Sequence, residues 1–335
     1  MCEHHRNKMK SYDFDTKTYK YSEDPEIIRN RKNKSVLIIT DCKEYQVPSK
    51  SLHPDVSFPE QVKCLSIYCE GDTCEYCLGQ PIDVFNNLVL FHNLQYLYVQ
   101  GVTMEMKYWI EFAQNSKCLK ELYLEENPSE YIEYNYFKFT EEALEALFKI
   151  STLERVTLHA LRTTFFPKGP SNIKELKIYD CWRTYDDEEY YNQFYSSIAQ
   201  NLCTHTNLEK LNVNIYDNKE MMMNVSECCL NLKELIYEST DMELFEKLLK
   251  MPKIEKIKIG NLELEACPPS TAFNFDQKFL TIEYLKIRPE YDYEEDFLKK
   301  KYFLLKFKNC CPNLKSLKLY NTKEKEFIEL INCDF

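Results

Sequence analysis

Four cysteines, Cys64, Cys69, Cys74 and Cys77, fall close together and end in a Cys-x-x-Cys. They are the nearest approach to a metal site, because structural zinc takes four thiolate or imidazole ligands in a tetrahedral array. Only one knuckle pair is present, however, and Cys64 falls in an apolar run that reads as a strand. The grouping therefore reads as reduced cysteines with no shared role, with zinc as the alternative, and no cofactor is expected. His4 and His5 beside Cys2 read as a polar tail. Enzymatic chemistry finds less to work with. The five glycines, Gly71, Gly79, Gly101, Gly169 and Gly260, are too far apart to form a phosphate-cradling loop. Neither His-Glu-x-x-His nor Gly-x-Ser-x-Gly occurs. Of six scattered histidines only His159 follows a strand motif, and none has an evident general-base partner. The chain is expected not to be an enzyme.

The elements that would carry functional residues follow one short pattern: apolar, two variable, apolar, one variable, apolar. It occurs at Val62/Leu65/Ile67, Leu94/Leu97/Val99, Leu119/Leu122/Leu124, Leu153/Val156/Leu158 and Ile173/Leu176/Ile178. It continues at Leu208/Leu211/Val213, Leu232/Leu235/Tyr237, Ile254/Ile257/Ile259, Ile282/Leu285/Ile287 and Leu314/Leu317/Leu319. The mean spacing is about 28 residues, and Ser35 to Ile39 reads as an earlier strand. Amphipathic segments with helix-start signals lie between the motifs. Thr140 precedes Glu141 to Phe148, with acids placed at the positive helix end. Thr103 precedes Met104 to Asn115, Thr240-Asp241 precedes Met242 to Lys250, and Asp187 precedes a tract ending near Cys203. Tyr293 to Asn309 is another such segment. Alternating short strands and helices predict a parallel sheet inside a curve and helices outside it. Two intervals lack a clean helix: the one holding Phe165-Phe166-Pro167-Lys168-Gly169-Pro170, and the one holding Cys267-Pro268-Pro269-Ser270. Loops or extended connections are expected there.

Three residues past the last apolar position stand Cys42, Asn127 and Cys181, with Thr240 and Thr322 as polar substitutes. Val102, Leu161 and Leu262 depart from this. On these residues the stretch from 34 to 335 resembles the leucine-rich-repeat superfamily. The period, and the tails Cys-Cys-Leu-Asn-Leu (228–232) and Cys-Cys-Pro-Asn-Leu (310–314), are similar to the ribonuclease-inhibitor-like subclass. They are most like the arrays of F-box/leucine-rich-repeat proteins. The resemblance implies an α/β solenoid, a curved horseshoe of about 10–11 repeats with strands on the concave face and helices on the convex face. A solenoid needs its ends covered. Residues 1–33 are read as a polar tail with a short capping helix opening at Asp24-Pro25-Glu26-Ile27-Ile28, residues 34–322 as the array, and residues 323–335 as a C-terminal capping helix.

In each strand the residues between the later apolar positions point away from the core, where a binding function would lie. Six successive repeats read Lys120-Glu121, Glu154-Arg155, Lys174-Glu175, Glu209-Lys210, Lys233-Glu234 and Glu255-Lys256. The sign alternates at both positions, so each charge is set beside its opposite on the next strand. This reads as a ladder that fixes register, with a charged docking strip as the alternative. The position before the last apolar residue carries Tyr98 and Tyr123 early and Lys258, Lys286 and Lys318 late, with Tyr68 and Tyr96 nearby. Tyrosine on a preformed surface is a favoured interface anchor. The lysine row is self-repelling unless Glu255 and Glu283 or an acidic partner answer it. Trp182 and Tyr185, in an acidic stretch after a strand, are weaker rim candidates.

A formal charge of -11, from 43 Lys+Arg against 54 Asp+Glu, argues against phosphate-driven nucleic-acid binding. The polar N-terminus leads into no apolar signal region, and no apolar run reaches the roughly 18–20 residues of a membrane span. Fifteen cysteines without a signal segment point to reduced thiols and a cytoplasmic or nuclear setting. The reading is a scaffold that binds a protein partner on its concave face and rim. Resemblance to the F-box arrays supplies an alternative, the substrate receptor of a cullin-type ubiquitin ligase with its adaptor as partner. Residues 1–50 show neither a Leu-Pro opening nor the long helical pattern of an F-box. An unrecognised enzyme is the alternative from another class.

Overall fold

A computed structural model describes residues 27–29, 36–40, 63–68, 88–100, 106–125, 140–161, 163–179, 188–214, 219–263, 276–287, 304–321 and 326–330. Thirteen strands form one sheet whose spatial order is the sequence order. They are β1 (Ile27–Arg29), β2 (Val36–Thr40), β3 (Cys64–Tyr68), β4 (Tyr96–Gln100), β5 (Glu121–Glu125), β6 (Arg155–His159) and β7 (Glu175–Tyr179). The rest are β8 (Lys210–Asn214), β9 (Glu234–Asp241), β10 (Lys256–Glu263), β11 (Tyr284–Ile287), β12 (Ser316–Asn321) and β13 (Glu326–Glu329). Steps from β2 to β12 are parallel and keep one register, so that Leu97, Leu122, Val156, Leu176 and Leu211 form a single column. That column follows from the motif. Shifting any strand by one residue would turn its second and third apolar residues away from the core.

The same residue locks each step. The carbonyl of Lys120 accepts the amides of both Glu154 and Arg155, that of Glu154 accepts Lys174 and Glu175, and that of Lys174 accepts Glu209 and Lys210. The first apolar residue of most repeats, such as Leu153 or Leu232, closes the turn before the strand and is buried, while Leu314 is partly so.

Among the described residues five helices cover one side: α1 (Met106–Asn115), α2 (Glu141–Phe148), α3 (Glu188–Asn201), α4 (Lys219–Cys228) and α5 (Met242–Leu249). Residues 304–308 are also helical. Thr140 caps α2 through the amide of Ala143, and Asp241 caps α5 through the amide of Leu244. The apolar stripes of these helices, with Trp109, Leu144, Phe194, Met222 and Phe245 buried, pack against the strand columns in one continuous core. Helices are about 10 Å across, whereas strands lie about 4.8 Å apart. A repeat is therefore wider on its helical side, and the array curves with the strand face inward. The fold is the expected α/β leucine-rich-repeat solenoid.

Both ends depart from the expected capping helices. Residues 326–329 form β13, antiparallel to β12, with Leu319 opposite Ile328 and Tyr320 opposite Phe327. Here a period of two prevails over a helical one. Leu330 is buried, and its amide donates to the Leu317 carbonyl, while the Leu317 amide donates to the Glu329 carboxylate. A strand satisfies the open edge of β12, which a helix cannot do. At the other end β1 pairs antiparallel with β2, with Ile28 opposite Ile38, so Ile27 and Ile28 are strand residues.

The short interval after β6 is helix-free among its described residues, as expected. Ala160 takes a positive φ of 52° and turns the chain so that Leu161 is fully buried. Polar side chains from the next repeat then hold the segment. Ser197 accepts the Phe166 amide, Asn201 donates to the Phe166 carbonyl, and Thr204 accepts the Gly169 amide. The second helix-poor stretch, around Pro268 and Pro269, lies outside the described residues.

Candidate functional site: the strand face

The outward positions of the sheet form side-by-side columns in the same register as the core. In the column just before the second apolar residue, Glu121, Arg155, Glu175, Lys210, Glu234 and Lys256 are successive cross-strand neighbours. Arg155 reaches back to the Glu121 carboxylate with Nε at 2.8 Å and Nη2 at 2.7 Å. Lys177 pairs with Glu175 at 3.0 Å, and Glu234 takes Lys258 at 2.7 Å. One residue earlier, Lys174 pairs with Glu154 at 3.3 Å and Lys233 with Glu209 at 2.9 Å. The alternating signs thus meet across strands at Glu121–Arg155, Glu154–Lys174 and Glu209–Lys233, whereas Glu175 is taken by Lys177 of its own strand.

Beside that outer row an open trough of about 510 Å³ is lined by Asn172, Asn207, Asn231, Lys174, Lys233 and Lys253 among others. Its polar groups already serve the fold. Asn172 donates to the Ser151 carbonyl, Asn207 to that of Ser171, and Asn231 to that of Thr206. Lys253 donates to the Asn231 side chain. Each asparagine directly precedes the first apolar residue of its repeat and ties that repeat to the previous one. This ladder was legible in Asn-Ile (172–173), Asn-Leu (207–208) and Asn-Leu (231–232), but the sequence reading passed over it.

The column before the last apolar residue begins with Tyr98 and Tyr123, which stack at 4.2 Å between ring centroids and 18° between planes. Tyr96 lies two residues before Tyr98 on β4, between Cys64 and Glu121 in register. Tyr68 ends β3 opposite Gln100. Tyr96 and Tyr98 are half-buried, whereas Tyr123 is only 8% exposed. Its hydroxyl donates to the carboxylate of Glu125, itself buried. Tyr123 is therefore a support for the surface more than a contact on it.

Glu125 leads to a group that the sequence reading missed. Its carboxylate lies 3.0 Å from His159 Nδ1, and the His159 ring meets Tyr179 edge-on at 6.2 Å. The Tyr179 hydroxyl accepts from Asn212 at 2.6 Å, and burial, then the charge of Glu175, pushes that phenol up to about 12. Glu125, His159 and Tyr179 are cross-strand neighbours, each directly following the last apolar residue of its repeat. The signal was that shared position, visible only once the strands are set side by side.

The later part of the face carries the lysines. Lys258, Lys286 and Lys318 are direct neighbours on β10, β11 and β12. The expected compensators, Glu255 and Glu283, do not pair with them, and Glu283 instead takes Lys315 at 2.8 Å. Lys258 goes to Glu234 and Lys318 to Glu329 at 3.6 Å. The reason is position: Glu255 and Glu283 directly precede β10 and β11, three residues before Lys258 and Lys286, so their side chains extend from a different row.

Of the cysteine group, Cys64 is buried on β3, and burial pushes its thiol up to about 12, which opposes the thiolate a metal would need. Cys69, Cys74 and Cys77 lie outside the described residues, as do Trp182 and Tyr185. Among the described residues no three His, Cys, Asp or Glu side chains are grouped to hold a metal. No helix among them is long and apolar enough to cross a membrane.

Comparison with protein-family models and with curated proteins finds no match. Among solved structures, the chain is similar to the crystal structure of the leucine-rich repeat-containing protein LegL7 from Legionella pneumophila. That similarity has 11% identity and a TM-score of 0.41, and it covers 83% of this chain and 91% of that one.

Proposed function

We propose that the chain is a docking scaffold whose strand face receives a protein partner, in a reducing compartment such as the cytoplasm or nucleus. The observation that carries this is the tyrosine stack. Tyr98 is held against Tyr123, beside Tyr96, on a sheet whose register is fixed at every step. Aromatic side chains held in place this way offer large contact area with little further entropy to lose on binding. The polar rows around them are largely satisfied within the chain, which suits a surface built for shape and a few anchors.

Affinity purification from native cells tests the reading when the wild type is compared with a Tyr96→Ala/Tyr98→Ala variant. Partners enriched by the wild type should be depleted at least about tenfold by the variant, as expected when interface anchors are removed. Equal recovery would contradict the assignment. Tyr123 is left intact because its burial would confound folding with binding.

The narrower reading, a substrate receptor of a cullin-type ubiquitin ligase, rests on the likeness of the Cys-Cys-Pro-Asn-Leu and Cys-Cys-Leu-Asn-Leu tails to F-box/leucine-rich-repeat arrays. The same purification tests it: recovery of cullin and adaptor subunits supports it, and their absence among the partners removes it.

A further inference from the structure

The three lysines of β10, β11 and β12 are not equally provided for. Adjacent strands lie about 4.8 Å apart, and like charges directly opposite each other are unfavourable. The outer two are answered by carboxylates, Lys258 by Glu234 at 2.7 Å and Lys318 by Glu329 at 3.6 Å. Lys286, between them, has no carboxylate within 4.0 Å among the described residues. Its ammonium lies instead over the Phe327 ring, 3.6 Å from the centroid. Phe327 in turn packs edge-on against Tyr320 at 4.9 Å, and both rings are half-exposed. Partial burial, then Lys258 and Lys318, draws the Lys286 amine below its ordinary range. The middle of the row is thus a half-buried cation on an aromatic shelf, with like charges on both sides and no carboxylate partner among the described residues.

Resting on the docking face proposed above, we propose that Lys286, flanked by Lys258 and Lys318, receives a carboxylate from an acidic segment of the partner polypeptide. Phe327 and Tyr320 form the apolar floor beside that carboxylate. A carboxylate fits better than a phosphoryl group. Phosphate recognition favours several donors converging on one group. The two flanking amines are already turned toward Glu234 and Glu329. What remains is a single point cation, the complement of one Asp or Glu side chain.

The probe is a fluorescein-labelled hexaglutamate peptide titrated with the full chain by fluorescence anisotropy, at low and at high salt. The wild type binds at low salt, binding weakens as salt rises, and hexaglutamine does not bind. Lys286→Met keeps the stem over Phe327 but removes the charge, and it weakens binding at least about fivefold. Lys286→Arg retains binding, and Lys174→Met, on the distant ladder, binds as the wild type does. Circular dichroism of each variant confirms that the solenoid is intact.

Four results overturn the proposal: no hexaglutamate binding by the wild type, wild-type binding by Lys286→Met, equal loss in Lys174→Met, or binding only of a phosphoserine peptide. None of them bears on whether the strand face is the docking face. Photo-crosslinking from Tyr98 decides that separately: adducts there alongside a silent hexaglutamate titration retain the face and remove the acidic partner.

Discussion

His205 is held by two contacts that suit its neutral form. Its Nε2 lies 2.9 Å from the Pro167 carbonyl, which can only accept, so that nitrogen carries the proton. Nδ1 is left to accept from the Ser171 hydroxyl at 2.7 Å. The ring is buried between Phe148 and Phe166, and burial lowers its pKa below the ordinary 6.5, with the Pro167 contact offsetting part of the effect. The unfolded chain therefore takes up a proton first. The stability His205 contributes is complete above about pH 6.5 and falls as acid carries the pH down through the folded-state value. Urea denaturation across this range should show the loss, and His205→Leu should abolish its pH dependence. The variant also removes the donor to the Pro167 carbonyl and the acceptor of the Ser171 hydroxyl, lowering stability at neutral pH by about 1–3 kcal/mol. A variant as stable as the wild type at pH 7 would show that these bonds do not hold the segment. None of this was legible in the chain, where His205 is one of six scattered histidines. Its partners stand 34 and 38 residues away, and only the folded repeat brings them together. His159 stands out in the sequence only by following a strand motif, and its pairing with Glu125 was illegible for the same reason.

The strands, by contrast, were legible because each carries three apolar residues at fixed spacing, and burial of that trio dictates both strand and register. The helices with evident caps were legible too, α2 behind Thr140 and α5 behind Asp241. The ends were not. Phe327, Ile328 and Leu330 suit a helix or a strand, and the unsatisfied edge of β12 decided the matter, a tertiary demand that no local pattern expresses. Gly260 shows a similar demand inside the sheet. β9 and β10 run eight residues each, longer than their neighbours, and pair as far as Asp241 and Glu263. A Cβ at Gly260 would meet the Glu238 carbonyl oxygen at 2.5 Å, so the close approach of the two strands requires glycine. Gly260→Ala should destabilise the chain by about 1–3 kcal/mol by forcing these strands apart, measured as a lower urea midpoint at unchanged slope. A midpoint equal to wild type would mean that the pair is looser than its geometry implies.

At the scale of the molecule, each repeat touches only its neighbours, so the outward residues form continuous rows that no single motif reveals. One row is paired within the chain through Glu121 to Arg155, Glu175 to Lys177 and Glu234 to Lys258, and another ties repeats through asparagines. Between these rows the face presents the half-buried rings of Tyr96 and Tyr98 on β4 and the Lys286 ammonium on β11. The docking proposal follows from that division: the paired rows hold the shape, and the half-exposed rings and Lys286 are presented outward. The most direct measurement places a photo-activatable phenylalanine analogue at Tyr98 on the strand face and, separately, at Glu243 on the exposed side of α5, in cells. Docking on the strand face predicts discrete crosslinked adducts from position 98 and none from position 243. Adducts from position 243 with none from position 98 would place the partner on the helices and contradict it.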